Sequence, residues 1–276
     1  MSRAPAPGAV RVKPKAPARS PAALNRIHHE GPDDRPPLVL AHGLYGSARN
    51  WGAVARRLAA DRRVVAVDMR NHGESPHDPD HSYEAMATDL AGVIEGLGGN
   101  ADLLGHSMGG KAAMMLALHR PDLVHRLVVA DIAPVAYPHS QIDHAIALRA
   151  VDLDGIGRRA EADARLAPLV PDPVLRGFFL QSLDMGAEGA RWKLNLDALI
   201  ADMPRIMDFP ETGRRFGRPT LFLAGETSDY IQPGHWPAIR DLFPEARHAV
   251  IPGAGHWLHA DAPGAVIEAV AAFLKE

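Results

Sequence analysis

The sequence contains no cysteine and no long apolar run. Without cysteine, disulfides, thiolate metal sites and cysteine nucleophiles are excluded. No stretch approaches the roughly 18 consecutive apolar residues of a membrane-spanning helix. The N-terminal region also lacks the apolar segment of a secretory signal. These absences predict a soluble, cytoplasmic protein without a membrane span.

The sequence also lacks a strong excess of either charge. Its formal net charge is -3, from 30 Lys and Arg against 33 Asp and Glu. Because the basic residues are scattered among acidic ones, they predict no basic face for nucleic acid. The 15 histidines form no H-E-x-x-H or comparable ligand motif. We expect a small-molecule partner, no nucleic acid, no metal and no cofactor.

The first 23 residues are rich in Pro, Ala, Arg and Lys and offer little to bury. This composition predicts a disordered basic tail outside the folded domain. A targeting peptide would share the basic, acid-free composition, but the prolines disfavour the amphipathic helix that such a peptide needs.

After the tail, short runs rich in Val and Leu alternate with helical patterns. Runs of this kind are typical of strands buried on both faces. The alternation predicts an α/β fold with a mostly parallel, doubly wound sheet. The predicted strands lie in PLVLAH (37–42), RVVAVDM (63–69), ADLLGH (101–106), RLVVADIA (126–133), PTLFLAG (219–225) and RHAVIPG (247–253).

The alternation breaks once, between the strand ending near Ile132 and the strand beginning at Pro219. Residues 135–214 contain helical patterns and no convincing strand. We therefore predict a core of residues 24–134 and 215–276, with residues 135–214 inserted as a helical cap. We expect the cap to bound a pocket; its candidate wall residues are Phe178, Phe179, Leu180 and Trp192, for which packing in the helix core is the alternative.

The segment NADLLGHSMGGKAAMMLA (100–117) passes from strand residues through a glycine cluster into helix formers. Gly105 to Gly109 fits G-x-S-x-G, in which a serine occupies a strained turn from strand to helix. Ser107 is the predicted nucleophile. A phosphate cradle at the helix N-terminus is the alternative, but Lys111 lacks the adjacent Ser or Thr of a P-loop.

A serine nucleophile needs a base, and the base in turn needs a carboxylate. His256 follows the last predicted strand in IPGAGHWLHADAP, and we favour it over His259 because it directly follows the glycines. Two carboxylates follow predicted strands: Asp131 in VVADIAP and Asp229 in LFLAGETSDYI. Residue types alone leave both as candidates.

An oxyanion hole needs donors beside the nucleophile. The loop AHGLYGSARNW follows the first predicted core strand, so the amides of Leu44 and Met108 are the natural pair. A second glycine-containing motif, DMRNHGESPH (68–77), is expected to hold its own loop through local hydrogen bonds. We place its His72 and His77 outside the catalytic set.

The chain resembles the α/β-hydrolase superfamily, and within it the YbfF-type esterases and their mitochondrial relatives. The resemblance rests on HGLYGSARNW, VDMRNHGESPH, GHSMGGKAAMMLAL, DIAPVAY, RWKLNLDAL and GAGHWLHAD. It implies that the acid lies after the strand that follows the elbow helix, which is the position of Asp131. It also implies that a serine, here Ser228, replaces the usual acid after the later strand and supports the histidine. Asp229, one residue further on, departs from that pattern.

The resemblance implies a serine esterase acting on small to medium acyl esters, with acyl thioesters as a further class. A carbon–carbon bond hydrolase would use the same triad. A ligand-binding receptor built on a hydrolase scaffold is the alternative from another class.

Overall fold

The computed structural model describes residues 20–187 and 189–276. Most of the predicted N-terminal tail lies outside these residues. A seven-stranded sheet has the order β1-β3-β2-β4-β5-β8-β9, and a two-stranded sheet contains β6 and β7. The strands are β1 Arg26–His29, β2 Leu38–Ala41, β3 Val64–Val67, β4 Ala101–His106, β5 Val124–Ala130, β6 Leu183–Gly186, β7 Gly189–Trp192, β8 Thr220–Gly225 and β9 Ala246–Ile251.

Helices cover both faces of the large sheet. In chain order they are α1 Gly52–Leu58, α2 Tyr83–Gly96, α3 Met108–His119, α4 Ile142–Ala150, α5 Arg159–Leu166, α6 Pro173–Phe179, α7 Leu196–Met207, α8 Trp236–Leu242, α9 Leu258–Asp261 and α10 Pro263–Lys275. Helices α2 and α3 pack against each other, as do α1 and α10. Each pair buries its own apolar cluster against the sheet.

All six predicted strands are confirmed, and the α/β class with them. Residues of β2, β3, β4 and β8 are buried throughout, as their continuous apolar runs require. Strand β1, RIHH, was not predicted; it pairs antiparallel with β3 at the edge of the sheet. A half-buried edge strand needs no apolar run, so its pattern is weak.

Residues 135–214, which we call the cap segment, join β5 to β8. The segment contains helices α4 to α7. Helical patterns in the sequence at 143–151, 172–183 and 194–207 predict α4, α6 and α7, whereas α5 was not predicted. The expectation that it has no strand is wrong, because β6 and β7 form an antiparallel hairpin. Each of these strands has four residues, which is too few for a clear alternation of apolar and polar side chains. The division into core and cap remains our interpretation.

The parallel strands place their carboxyl ends at one edge of the sheet. Strands β2, β3, β4, β5, β8 and β9 run in the same direction, so the loops after them meet there. Ligands bind at this edge in open α/β sheets. Within the described part of the chain, no helix has the length and apolarity needed to cross a bilayer.

Candidate active site

Ser107 lies in the tight turn between β4 and α3. Its backbone has φ 51° and ψ -120°, a conformation that residues other than glycine rarely adopt. A Cβ added to Gly105 would lie 2.3 Å from the carbonyl oxygen of Gly109, and one added to Gly109 would lie 2.5 Å from that of His42. Both glycines of the motif are therefore required by close approach of backbone, which leaves the serine hydroxyl exposed to the cavity above the sheet.

His256 lies in the loop after β9 and contacts this serine. Its Nε2 is 3.1 Å from the Ser107 Oγ, a distance suited to accepting the hydroxyl proton. The Nε2–H of His106 donates to the main-chain carbonyl of His256 at 2.8 Å. The ring of Tyr230 stacks on the imidazole with centroids 3.8 Å apart. These contacts hold the histidine on both its main chain and its ring.

Asp131 is the carboxylate that contacts His256. The Nδ1–H of His256 donates to Asp131 Oδ2 at 2.8 Å, and the amide of Gly225 donates to Oδ1 at 2.9 Å. The Ser228 hydroxyl donates to the same Oδ2. Asp131 is fully buried, so these three donors replace the hydration of its charge. Asp229 is exposed to solvent instead.

His259, the competing histidine, lies beneath the site. It is buried, with its ring 4.6 Å from Trp51 and 4.8 Å from His106 between centroids. Burial, with smaller contributions from His256 and His42, lowers the pKa of His259 to about 4. His259 therefore stays neutral at pH 7 and packs in the floor of the cavity.

The loop that carries Leu44, one of the two predicted oxyanion donors, lies close to the nucleophile turn. A Cβ on Gly43 would lie 3.2 Å from the Cβ of Ser107, so the loop after β2 passes in contact with the serine. Among residues 20–187 and 189–276, none accepts a hydrogen bond from the amide of Leu44 or of Met108. Two unpaired amides beside a serine can bind a developing negative oxygen.

Sequence reasoning missed the histidines that support this loop. The Nε2 of His72 accepts from the amide of Tyr45 at 3.1 Å, and its Nδ1–H donates to the carbonyl of Arg70 at 2.9 Å. The Nε2 of His42 accepts from the amide of Met69 at 2.9 Å. Burial lowers the pKa of both rings, which keeps each Nε2 an acceptor. Both histidines lie in motifs that the sequence analysis singled out, HGLYG and RNHGESPH. The sequence did not indicate that each histidine accepts a hydrogen bond from the other loop.

Backbone strain is concentrated at this site. In the described part of the chain, every non-glycine residue with positive φ lies at the site or in a loop that supports it: Tyr45, Asn71, Ser107 and Asp131. Such conformations cost roughly 1–3 kcal/mol each and persist where surrounding contacts impose them. The strain is thus consistent with a site assembled for function.

A cavity of about 330 Å³ opens above Ser107. Its walls are mainly apolar, and its described lining contains Lys111 but no Asp, Glu or Arg. Phe178 and Phe179 line it as expected, whereas Leu180 packs beside the hairpin and Trp192 borders a separate shallow groove. Within the described residues, no group of three His, Asp or Glu is arranged to hold a metal ion.

Comparisons with known proteins agree with this architecture. The family model of the alpha/beta hydrolase fold matches residues 36–263. The chain is 45% identical over 254 residues to the sn-1-specific diacylglycerol lipase ABHD11 of Mus musculus, covering 89% of this chain and 83% of that protein. It is 38% identical over 242 residues to Esterase YbfF of Escherichia coli (strain K12), covering 87% and 93% respectively.

A solved structure, described as a marine microorganism esterase, superposes with a TM-score of 0.86. It is 38% identical, and the match covers 91% of this chain and 99% of that one. The family match spans most of the chain, and the matches to these relatives cover 87–91% of it. The chain therefore belongs to the α/β-hydrolase family, in the group of YbfF-type esterases.

Proposed function

We propose that this protein is a serine esterase that hydrolyses small to medium acyl esters through an acyl-enzyme on Ser107. The observation that carries the proposal is the hydrogen-bonded series Ser107–His256–Asp131 at the floor of the cavity, with distances of 3.1 and 2.8 Å. The names esterase and lipase of its relatives support the same reaction class.

Each group has a step in the proposed reaction. Ser107 Oγ attacks the ester carbonyl while His256 Nε2 accepts its proton. The amides of Leu44 and Met108 bind the oxyanion of the tetrahedral intermediate. His256 then donates the proton to the leaving alcohol, and water, activated by the same ring, hydrolyses the acyl-enzyme. Asp131 holds the imidazole in the required tautomer, and Ser228 steadies Asp131.

The cavity suggests how the substrate lies. Because His256 must protonate the leaving oxygen, the alcohol part is placed on its side of the cavity, near the lining residues Trp257 and Phe178. The acyl chain then extends toward Ile206 and Met207. The apolar lining favours a neutral ester. The name of the mouse relative makes diacylglycerol a further candidate substrate. The cytoplasmic location stays a prediction.

Turnover tests the proposal. The purified protein is expected to hydrolyse p-nitrophenyl butyrate over many cycles, and Ser107→Ala to reduce kcat by about 10⁶-fold, as loss of a triad serine does. Circular dichroism should show the same fold for both proteins. Stoichiometric release of p-nitrophenol without further turnover would instead identify a receptor on a hydrolase scaffold. A panel of oxygen and sulfur esters of increasing acyl length then separates esters from thioesters.

A further inference from the structure

Lys111 is a buried cation that the proposed reaction does not use. It lies on α3 one turn after the nucleophile, and its amide donates to the carbonyl of Ser107 at 3.0 Å. Its side chain is 1% exposed. Burial lowers the pKa of Lys111 to about 7, and the nearby Asp208 carboxylate opposes that shift. A buried ammonium is costly unless other groups replace its hydration, so its partners indicate its role.

Three main-chain carbonyls surround the ammonium. The Nζ donates to Val135 at 3.0 Å, to Met207 at 3.1 Å and to Asp208 at 2.7 Å. A lysine has three N–H donors and no more. Because all three are used within the protein, none remains to bind a substrate carboxylate, even though Lys111 lines the cavity.

These carbonyls belong to the two connections between the cap segment and the sheet. Val135 follows β5, whereas Met207 ends α7 and Asp208 follows it. The amide of Tyr137 donates to the carbonyl of Met207 at 3.0 Å, so the two connections also bind each other. The last carbonyls of a helix carry partial negative charge and lack partners within it. Lys111 thus caps the end of α7 from a different helix.

The same residues form one wall of the cavity. Tyr137, Ile206 and Met207 line it. The Tyr83 hydroxyl donates to the carbonyl of Ile206 at 2.6 Å. The Nζ of Lys111 lies 4.9 Å from the centre of the Tyr137 ring and 5.8 Å from that of Tyr83, within range of cation–π attraction. Lys111 and the residues of this cavity wall are therefore packed against one another.

We propose that Lys111 is a positioning residue that anchors both connections of the cap segment to the helix carrying Ser107, and so sets the wall that selects longer acyl chains. The selectivity part rests on the proposed function, because it is measured through ester hydrolysis. The anchoring part does not.

Lys111→Met tests both parts. Amide hydrogen exchange is expected to quicken by tenfold or more in the non-proline residues of 133–138 and 205–210, since charge-assisted hydrogen bonds to both connections are lost. The kcat/KM ratio of p-nitrophenyl hexanoate to acetate should fall by about tenfold, because the wall contributes binding only to the longer chain. Effects on Ser107 and His256 cancel in this ratio. Lys275→Met, which removes an exposed lysine paired with Asp61, should leave exchange and ratio unchanged.

Chemical rescue separates the effect of the Lys111 charge from the effect of the space that its side chain fills. Since the chain has no cysteine, Lys111→Cys introduces a single thiol. Alkylation in denaturant with 2-bromoethylamine creates a side chain of lysine-like length with an ammonium, and 1-bromopropane creates one of similar length without it. After refolding, only the aminoethyl adduct should recover exchange protection and acyl selectivity. This comparison also holds if Lys111→Met fails to fold.

Two results would overturn the proposal: unchanged exchange in both connections of Lys111→Met, or equal protection in the two adducts. If the wild-type protein hydrolyses no ester, the proposed serine esterase is refuted. The exchange comparison between the adducts then still decides whether Lys111 anchors the cap segment.

Discussion

At the scale of single residues, burial and hydrogen-bond donors separate the two carboxylates that residue types alone left open, in favour of Asp131, which the family resemblance implied. Asp131 is fully buried and accepts from Gly225, Ser228 and His256. Asp229 follows the later strand in the sequence, yet its side chain is exposed. A carboxylate that keeps a histidine tautomer in place must reach the Nδ1–H, and of these two only Asp131 does so.

Replacement of each carboxylate tests this difference. Asp131→Asn is expected to lower kcat by about 10⁴-fold, because an amide stabilises the wrong tautomer of His256. Asp229→Asn is the matched control and should retain wild-type kcat on p-nitrophenyl butyrate. A large loss in Asp229→Asn alone would assign the acid to the later strand.

At the scale of elements, the turn between β4 and α3 depends on backbone passing close to backbone. In the sheet, Gly105 lies opposite Ala41 of β2 and Val129 of β5. Any side chain there would meet the first turn of α3 at 2.3 Å. Main-chain atoms cannot move aside as a flexible side chain can, so the helix would have to shift and displace Ser107 with it.

Gly105→Ala is therefore expected to destabilise the fold by about 3 kcal/mol or more, the upper range for overpacking a tight site. Urea denaturation followed by circular dichroism measures the loss. Gly177→Ala is the matched control: Gly177 lies exposed within α6, and no atom lies within 4 Å of an added Cβ. Alanine there should stabilise the protein by about 0.5–1 kcal/mol. Equal effects of the two substitutions would contradict the proposed crowding at the elbow.

At the scale of the whole molecule, the fold buries a set of neutral histidines beneath its active edge. Burial lowers the pKa of His42, His72 and His106. It lowers the pKa of His81 to about 3 and that of His259 to about 4. Below pH 6.5 the unfolded chain binds protons that these folded rings do not, so stability falls with falling pH. This contribution to stability is fully present well above pH 6.5 and is lost progressively as the pH falls toward 3, the pKa of His81 in the folded protein.

His259 alone should account for about 2 kcal/mol of that loss between pH 6.5 and pH 5, since one pKa unit corresponds to about 1.4 kcal/mol. Urea denaturation at the two pH values measures it. His259→Phe should reduce the loss, whereas His77→Gln, at an exposed position, should not. The interpretation fails if the two variants lose the same stability as the wild-type protein.

The sequence by itself determined the six parallel strands of the sheet and most of the helices between them, because continuous apolar runs and 3.6-residue periods are local properties of the chain. It did not indicate the edge strand β1 or the hairpin of β6 and β7. It also determined the nucleophile turn, because the motif is local and Gly105 is required by its contact with Gly109 four residues on. The requirement for Gly109 itself comes from tertiary structure, since an added Cβ would meet the carbonyl of His42. The contact of Asp131 with His256 was implied by the family resemblance, but its geometry is a tertiary feature. Tertiary structure alone decided how Lys111 joins α3 to both connections of the cap segment and how His72 holds the loop of Leu44. These pairs are far apart in the chain, and their distances arise only when parallel strands bring their carboxyl ends to one edge of the sheet.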